Sequence, residues 1–452
     1  MLVYFSVENY KSIDEKLELN LKTAPRLRRL PHHAVAPTTD SSLKVLRSAV
    51  MYGANASGKS NIIKAIKFAQ SLVTGQQRNR RNLKLEPFKL TKNIKKETSF
   101  YFEFTYGDAL FAYGFTLEGS LIINEYMYHL DKEEQYCFFE RVLNENNSYD
   151  INTDMYNDST ISSDELDDLI KLIKYSSNEE LFVQEAHSKD YVTKLDQVGS
   201  VFIPVLYFFF SQLIVIFPDT FYGSLGQDLS SESKSSCKYI ELLNRFDTGV
   251  SGLRSENVNL SAFPEEIIME VEDSLDDGHG LWFIHFKGED YRFEYDEDKN
   301  IIASKVVSIH KLKDGSEVTF ELEQESDGTR RILDLLPALA NGTIEDQSMS
   351  FTYIIDEFDR SLHPNLSKAF LDAFLNESLS SEQNQLIVTT HESSLMDTKL
   401  LRRDSIWFVQ KEEDHSTQLY SLNDYSPRFD KDIRNAYLSG VYGAVPYLNS
   451  GF

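Results

Sequence analysis

The run Gly53-Ala54-Asn55-Ala56-Ser57-Gly58-Lys59-Ser60 has the residue types and spacing of a loop that wraps a triphosphate, GxxxxGK[ST]. Its glycines let backbone N–H groups curl around phosphate oxygens, and a helix N-terminus just beyond adds positive potential. Lys59 is placed to reach the β- and γ-phosphates, and Ser60 to ligate Mg2+. A second run, Phe351 to Glu357, is apolar and ends in two carboxylates. Asp356 suits the shell of the metal, and Glu357 the polarising of a water for attack on the γ-phosphate. Alone, Asp-Glu after a strand is usually a solvated turn. Beside a phosphate loop it reads as chemistry, with ATP and Mg2+ as the expected cofactors and ATP hydrolysis as the expected reaction.

Two weaker signals gain meaning from their order along the chain. Glu325-Ser326-Asp327-Gly328-Thr329-Arg330-Arg331 starts a helix. A small hydroxyl, a glycine and exposed N–H groups there make an anion site, although a plain Ser or Asp cap has the same appearance. Its place shortly before Asp356 is where an ABC signature belongs. His391 follows the buried run Gln385 to Thr390, the place of a histidine that senses the γ-phosphate, although a lone histidine is more often structural. Asp359 lies just beyond Glu357, where a D-loop would be.

These residues need elements to hold them. Ala49 to Tyr52 is a short apolar strand into Gly53, and Asn61 to Phe68 has helical periodicity. Phe351 to Ile355 and Gln385 to Thr390 read as buried strands, Thr329 to Ala340 and Asn365 to Leu375 as helices, and Ile406 to Val409 as another strand. This rhythm predicts a parallel sheet with helices packed on it. Residues 1–10 and Ser99 to Leu130 alternate as strands, and strand character returns from Trp282 to Glu323. Asn144 to Asp158 reads as a loop, Asp164 to Tyr175 as a helix, Val201 to Phe217 as one apolar buried helix, and 223–237 as a flexible stretch. The expected division is an N-terminal lobe over 1–130, a mostly helical insertion over 131–300, and a C-terminal lobe over 301–452.

Composition narrows the class. The 452 residues carry a formal net charge of −25, which disfavours a surface that wraps nucleic acid everywhere. One basic stretch stands out: Arg78, Arg80, Arg81, Lys84, Lys89, Lys92, Lys95 and Lys96. It reads as a solvated loop, a DNA groove or a clasp for an acidic partner. The 2 cysteines, Cys137 and Cys237, form no CxxC pair. The N-terminus lacks a signal-peptide pattern, and no run is comfortable as a membrane span, so a cytoplasmic chain without membrane contact is expected.

Phe5-Ser6-Val7-Glu8-Asn9-Tyr10-Lys11-Ser12 resembles the opening strand of RecF and SMC heads. "MYGANASGKSN", "ESDGTRRILDLLPAL", "IIDEFDRSLHP", "IVTTHESSLMD" and "YLSGVYGAVPYL" are similar to the RloA-like, AAA-15-type ATPases related to the OLD proteins. The resemblance spans most of the chain and is weakest between 131 and 240. It implies an α/β fold, an ABC-type (SMC/RecF-like) P-loop ATPase head with a mixed N-terminal sheet and a largely helical insertion. Carried over by motif, Gly53, Asn55, Ala56, Ser57, Gly58, Lys59, Ser60 and Asn61 bind nucleotide, and Ser60 and Asp356 hold Mg2+. Lys59, Glu357 and His391 form the catalytic set, Ser326 and Gly328 contact the γ-phosphate held by a partner head, and Asp359 of the D-loop belongs to the nucleotide-binding set. A homodimer or larger homo-oligomer is therefore implied.

The sequence departs from the pattern in two ways. Between Glu97 and Leu130 there is no glutamine for a Q-loop, and Gln135 is the first afterwards. The residues after His391 lack the acidic metal cluster of an OLD nuclease. The resemblance thus implies a nucleotide-gated sensor or regulator of bacterial anti-phage defence that controls a separate effector, a nuclease or toxin. A DNA-binding repair ATPase like RecF is the alternative.

Overall fold

The computed structural model describes residues 1–25, 27–38, 43–75, 84–91, 95–131, 135–154, 162–194, 199–218, 234–276, 282–287, 289–296, 298–340, 350–376, 381–425 and 432–446. The chain divides into two compact units. One comprises Met1–Val215, Ser348–Phe358 and Glu382–Phe452, the other Ile216–Gln347 and Asp359–Ser381.

The first unit holds two large sheets and a two-stranded ribbon. The larger is antiparallel and runs Tyr149–Asn152 (β10), Gln135–Leu143 (β9), Leu121–Leu130 (β8), Ala109–Glu118 (β7), Glu97–Tyr106 (β6), Leu2–Glu8 (β1), Leu17–Asn20 (β2) in spatial order. Alternation in β6 buries Phe100, Phe102 and Phe104 on one face. The second sheet runs Leu213–Ile216 (β11), Thr352–Ile355 (β17), Gln385–Thr390 (β18), Ser48–Tyr52 (β5), Ile406–Lys411 (β19), Thr417–Ser421 (β20). In it β17, β18, β5 and β19 are parallel neighbours and β20 returns antiparallel. Burial on both faces explains the unbroken apolar runs of β5, β17 and β18. Gln385 ties the sheets together. Its Oε1 accepts from the Leu2 N–H at 3.0 Å, and its Nε2 donates to the carbonyls of Leu2 at 2.9 Å and Leu46 at 2.8 Å. Leu46 belongs to a small ribbon of Ala34–Val35 (β3) and Val45–Leu46 (β4).

Two expectations change here. Val201 to Phe217 is not one helix: a short helix over Ile203–Tyr207 passes into a π turn over Phe208–Gln212 and then into β11. The helix Lys59–Thr74 (α1) explains the break, because its Gln70 donates to the carbonyls of Phe209 at 2.9 Å and Leu213 at 2.7 Å. Phe208 stacks on Phe104 with ring centroids 4.4 Å apart, so the apolar content serves tertiary packing rather than helical periodicity. Residues 131–300, expected to be mostly helical, include β9, β10 and further strands of the second unit. In β9 it is Cys137, Phe139 and Arg141 that turn inward, a period of two that its polar composition conceals.

Arg141 also centres a buried ion pair. Its guanidinium lies 2.6 Å from the Glu125 carboxylate, with both side chains wholly buried. Glu125 further accepts from the Tyr113 hydroxyl at 2.8 Å and from the N–H groups of Phe182 at 2.7 Å and Val183 at 3.2 Å, at the start of the helix Phe182–Ser188. Burial raises the Tyr113 hydroxyl well above the ordinary phenol range, so it remains a donor. Arg141 reaches the Glu180 carbonyl at 2.7 Å and lies 4.2 Å from the centre of the Tyr149 ring.

The second unit contains Gly252–Val258 (β12), Trp282–Phe286 (β13), Glu289–Tyr295 (β14), Ile301–Lys311 (β15) and Glu317–Glu321 (β16), all antiparallel, in agreement with the strand character read from Trp282 onward. Phe263, Phe293 and Ala303 form a core with Val271 and Leu275 of the helix Glu265–Asp276. Of the stretch expected to be flexible, 223–233 lies outside the described residues, and 234–237 is the first turn of the helix Lys234–Arg245. The helices Asp327–Ala340 (α2) and Pro364–Asn376 (α3) complete this unit. Among the described residues no helix is long and apolar enough to cross a membrane.

Candidate nucleotide site

In the first unit the motif residues meet at one end of the parallel sheet. Register pairs Ile355 of β17 with Val388 of β18, and Thr390 of β18 with Tyr52 of β5. The residues leaving these neighbouring strands at their C-terminal ends are Asp356-Glu357, His391 and Gly53. Ligands of open α/β sheets bind outside the carboxyl ends of the strands.

The phosphate loop is built for close approach. Gly58 has φ 104° and caps α1, and a Cβ there would lie 2.0 Å from Thr417 Oγ1. A Cβ on Gly53 would lie 2.4 Å from the Val409 carbonyl oxygen. No larger residue fits either place. Lys59 is buried, and its Nζ donates to the carbonyls of Gly53 at 2.7 Å and Ala54 at 3.0 Å, which curls the loop around its own ammonium. Asn55 and Ala56 form the exposed crest, Ala56 with φ 60°. Ser57 is buried and Ser60 half-buried on the first turn of α1. Asn61 is the third residue of α1. Its N–H bonds the Gly58 carbonyl at 2.9 Å and its side-chain amide donates to Ser12 Oγ at 2.7 Å, so it braces the loop from behind.

At β17, one side chain that sequence reasoning missed organises both acids. Thr389 Oγ1 donates to Asp356 Oδ1 at 2.6 Å and accepts the Glu357 N–H at 2.8 Å. The Thr389 carbonyl accepts the Phe358 N–H at 2.9 Å. Glu357 is thereby held at φ 45°, in the left-handed region that L-residues avoid. Asp356 is buried, Glu357 half-buried, and His391 exposed directly after β18. Thr389 follows Val388, which pairs with Ile355, and so stands beside Asp356 only once the two strands are in register.

The donor set suits a hard cation: a carboxylate at Asp356 and a hydroxyl at Ser60. No group of at least three His, Cys, Asp or Glu side chains able to hold a metal occurs among the described residues. A cation here would take its remaining oxygens from phosphate and water, as Mg2+ does.

The Ser326–Gly328 and Asp359 segments lie together in the second unit. Ser326 caps α2: its Oγ accepts the Thr329 N–H at 3.1 Å, and its carbonyl accepts the Arg330 N–H at 2.9 Å. Cap and anion site are compatible, since Ser326 and Asp327 are exposed. Gly328 is fitted closely, a Cβ there lying 3.0 Å from the Ser361 carbonyl oxygen in the turn after Asp359. Glu325 anchors the segment to β15 through His310 Nε2 at 2.6 Å and the Ser308 hydroxyl.

Of the basic stretch, Arg78, Arg80, Arg81 and Lys92 lie outside the described residues. Lys95 is engaged by Glu8 at 2.9 Å and Glu15 at 3.1 Å, and Lys96 pairs with Glu118 at 3.6 Å. Lys84 and Lys89 are exposed.

A family model described as "AAA domain, putative AbiEii toxin, Type IV TA system" matches residues 48–397. Among solved structures, the chain is similar to an SMC head bound to the C-winged-helix domain of ScpA, with 14% identity, TM-score 0.42, and 96% of this chain and 99% of that chain covered. It is also similar to the SMC head domain from Thermotoga maritima, with 13% identity, TM-score 0.38, and 93% and 98% covered. Among curated proteins nothing matches.

Proposed function

The chain belongs to this family of AAA-domain proteins, and from that premise we propose that it is an ABC-type P-loop ATPase head that hydrolyses ATP in a dimer that nucleotide closes. The observation that carries the reading is the convergence of Lys59, Asp356, Glu357 and His391 at the carboxyl ends of neighbouring parallel strands. Lys59 exchanges loop carbonyls for phosphate oxygens when nucleotide enters. Asp356 and Ser60 would hold Mg2+, which supplies charge neutralisation across the β- and γ-phosphates. Glu357, fixed by Thr389, takes the proton of the attacking water. His391 contacts the γ-phosphate, and the Ser326–Gly328 turn of a second copy, with its Asp359, completes the site.

The biological role that fits best is that of a nucleotide-gated regulator in bacterial anti-phage defence, of the RloA kind, acting on a separate nuclease or toxin. The words "toxin" and "TA system" in the family description favour an effector pair. The neutralised Lys95 and Lys96 favour it over a RecF-like DNA clamp. Glu357→Gln is expected to retain ATP and elute as a dimer in its presence, whereas Gly328→Asp binds ATP and stays monomeric. Normal turnover by Glu357→Gln would overturn the assignment of the base. A pull-down without an effector, together with undiminished phage protection by Lys59→Ala, would remove the defence role.

A further inference from the structure

A chain of hydrogen bonds links the phosphate loop to Thr417, a residue outside every motif. Asn61 Nδ2 donates to Ser12 Oγ at 2.7 Å, Ser12 Oγ and Thr417 Oγ1 are 2.7 Å apart, and Thr417 Oγ1 donates to the Ser57 carbonyl at 3.0 Å. The direction of the chain follows from its ends. The Asn61 amide can only donate, and the Ser57 carbonyl can only accept. Ser12 therefore donates to Thr417. Each link polarises the next. The backbone adds a further tie, Thr417 N–H to the Ser12 carbonyl at 2.7 Å. Thr417, the first residue of β20, is itself buried.

The consequence lies in the peptide unit between Ser57 and Gly58. In a planar trans peptide the C=O and the next N–H point in opposite directions. Thr417 holds the Ser57 carbonyl, so the Gly58 N–H points the opposite way, away from Thr417. The φ of 104° at Gly58 permits that orientation, and the closeness of Thr417 excludes a side chain there.

We propose that Thr417, oriented by Ser12 and Asn61, is a positioning residue that aims the Gly58 N–H at the nucleotide's phosphates. The proposal rests on the ATP-binding reading above and deepens it. It gives Ser12 and Asn61 a shared task in holding Thr417.

The test compares Thr417→Val, which keeps shape and loses the hydroxyl, with Thr417→Ser, which keeps the hydroxyl, by calorimetric titration with ATP, ADP and AMP. Loss of one net hydrogen bond corresponds to roughly a three- to tenfold weakening. That loss is expected for ATP and ADP with Thr417→Val, with AMP unchanged and with Thr417→Ser within about twofold of the native protein for all three. Ser12→Ala should shift ATP and ADP in the same direction by less. Unchanged ATP affinity in Thr417→Val, or an equal loss for AMP, overturns the positioning role. Should the native protein bind none of the three nucleotides, the ATP-binding reading itself fails, a different result from native binding that Thr417→Val leaves intact.

Discussion

Two groups of charged side chains in the first unit invite comparison. Around Glu125 and Arg141, opposite charges are sealed from water, and their donors and acceptors are spent on Tyr113, Glu180 and the start of the helix Phe182–Ser188. Around Lys59, Asp356 and Glu357, charges gather at the carboxyl ends of neighbouring strands, where loop carbonyls hold the ammonium and Thr389 holds Asp356 and the backbone of Glu357. The first arrangement can only hold the chain together. The second keeps polar groups aimed at a place where a ligand's charge would go. Charge type does not separate architecture from chemistry; what each charge is already bonded to does.

Substitutions can separate the two groups further. Lys59→Ala should weaken ATP binding by about a hundredfold or more, from the loss of charge-assisted phosphate contacts, with little change in the unfolding temperature without nucleotide. Titration with a fluorescent ATP analogue and a thermal melt report both. Arg141→Ala should do the reverse. Stranding the Glu125 carboxylate costs about 3–5 kcal/mol, and the melting temperature should fall by roughly 10 °C, while the protein that remains folded binds ATP normally. A melt unchanged by Arg141→Ala would mean that the pair is not the clamp described. Thr389→Val lies between the groups. It should lower kcat about tenfold with KM for ATP nearly constant, because loss of the hydroxyl frees Glu357 and Asp356 without touching the phosphate loop.

The sequence revealed the strands, the loop and the acids of the site because each is a local pattern: an apolar run that ends in Gly53, and another that ends in Asp356. Thr389 and Thr417 were illegible for the opposite reason. Their partners lie far along the chain, and one threonine in a strand carries no mark of what its hydroxyl will meet. The region 201–217 misled because hydropathy reports burial and not the element buried; Gln70, remote in sequence, takes up the carbonyls of Phe209 and Leu213 where the helix gives way to a π turn and a strand. β9 misled because its inward positions include Arg141, which needed Glu125 before it could be buried. Ser326 illustrates a third case, since its cap geometry neither requires nor opposes contact with a second copy.

The left-handed backbone at Glu357 has an energetic consequence. An L-residue in that conformation costs about 1 kcal/mol that glycine would not. Glu357→Gly should therefore melt at a higher temperature than the native chain even as turnover disappears, whereas Glu357→Gln loses turnover without that gain. Tension of this kind concentrates where a side chain is wanted in an orientation that relaxed backbone does not provide. Here the first turn after β17 is less comfortable than it could be, and the discomfort is what presents the carboxylate.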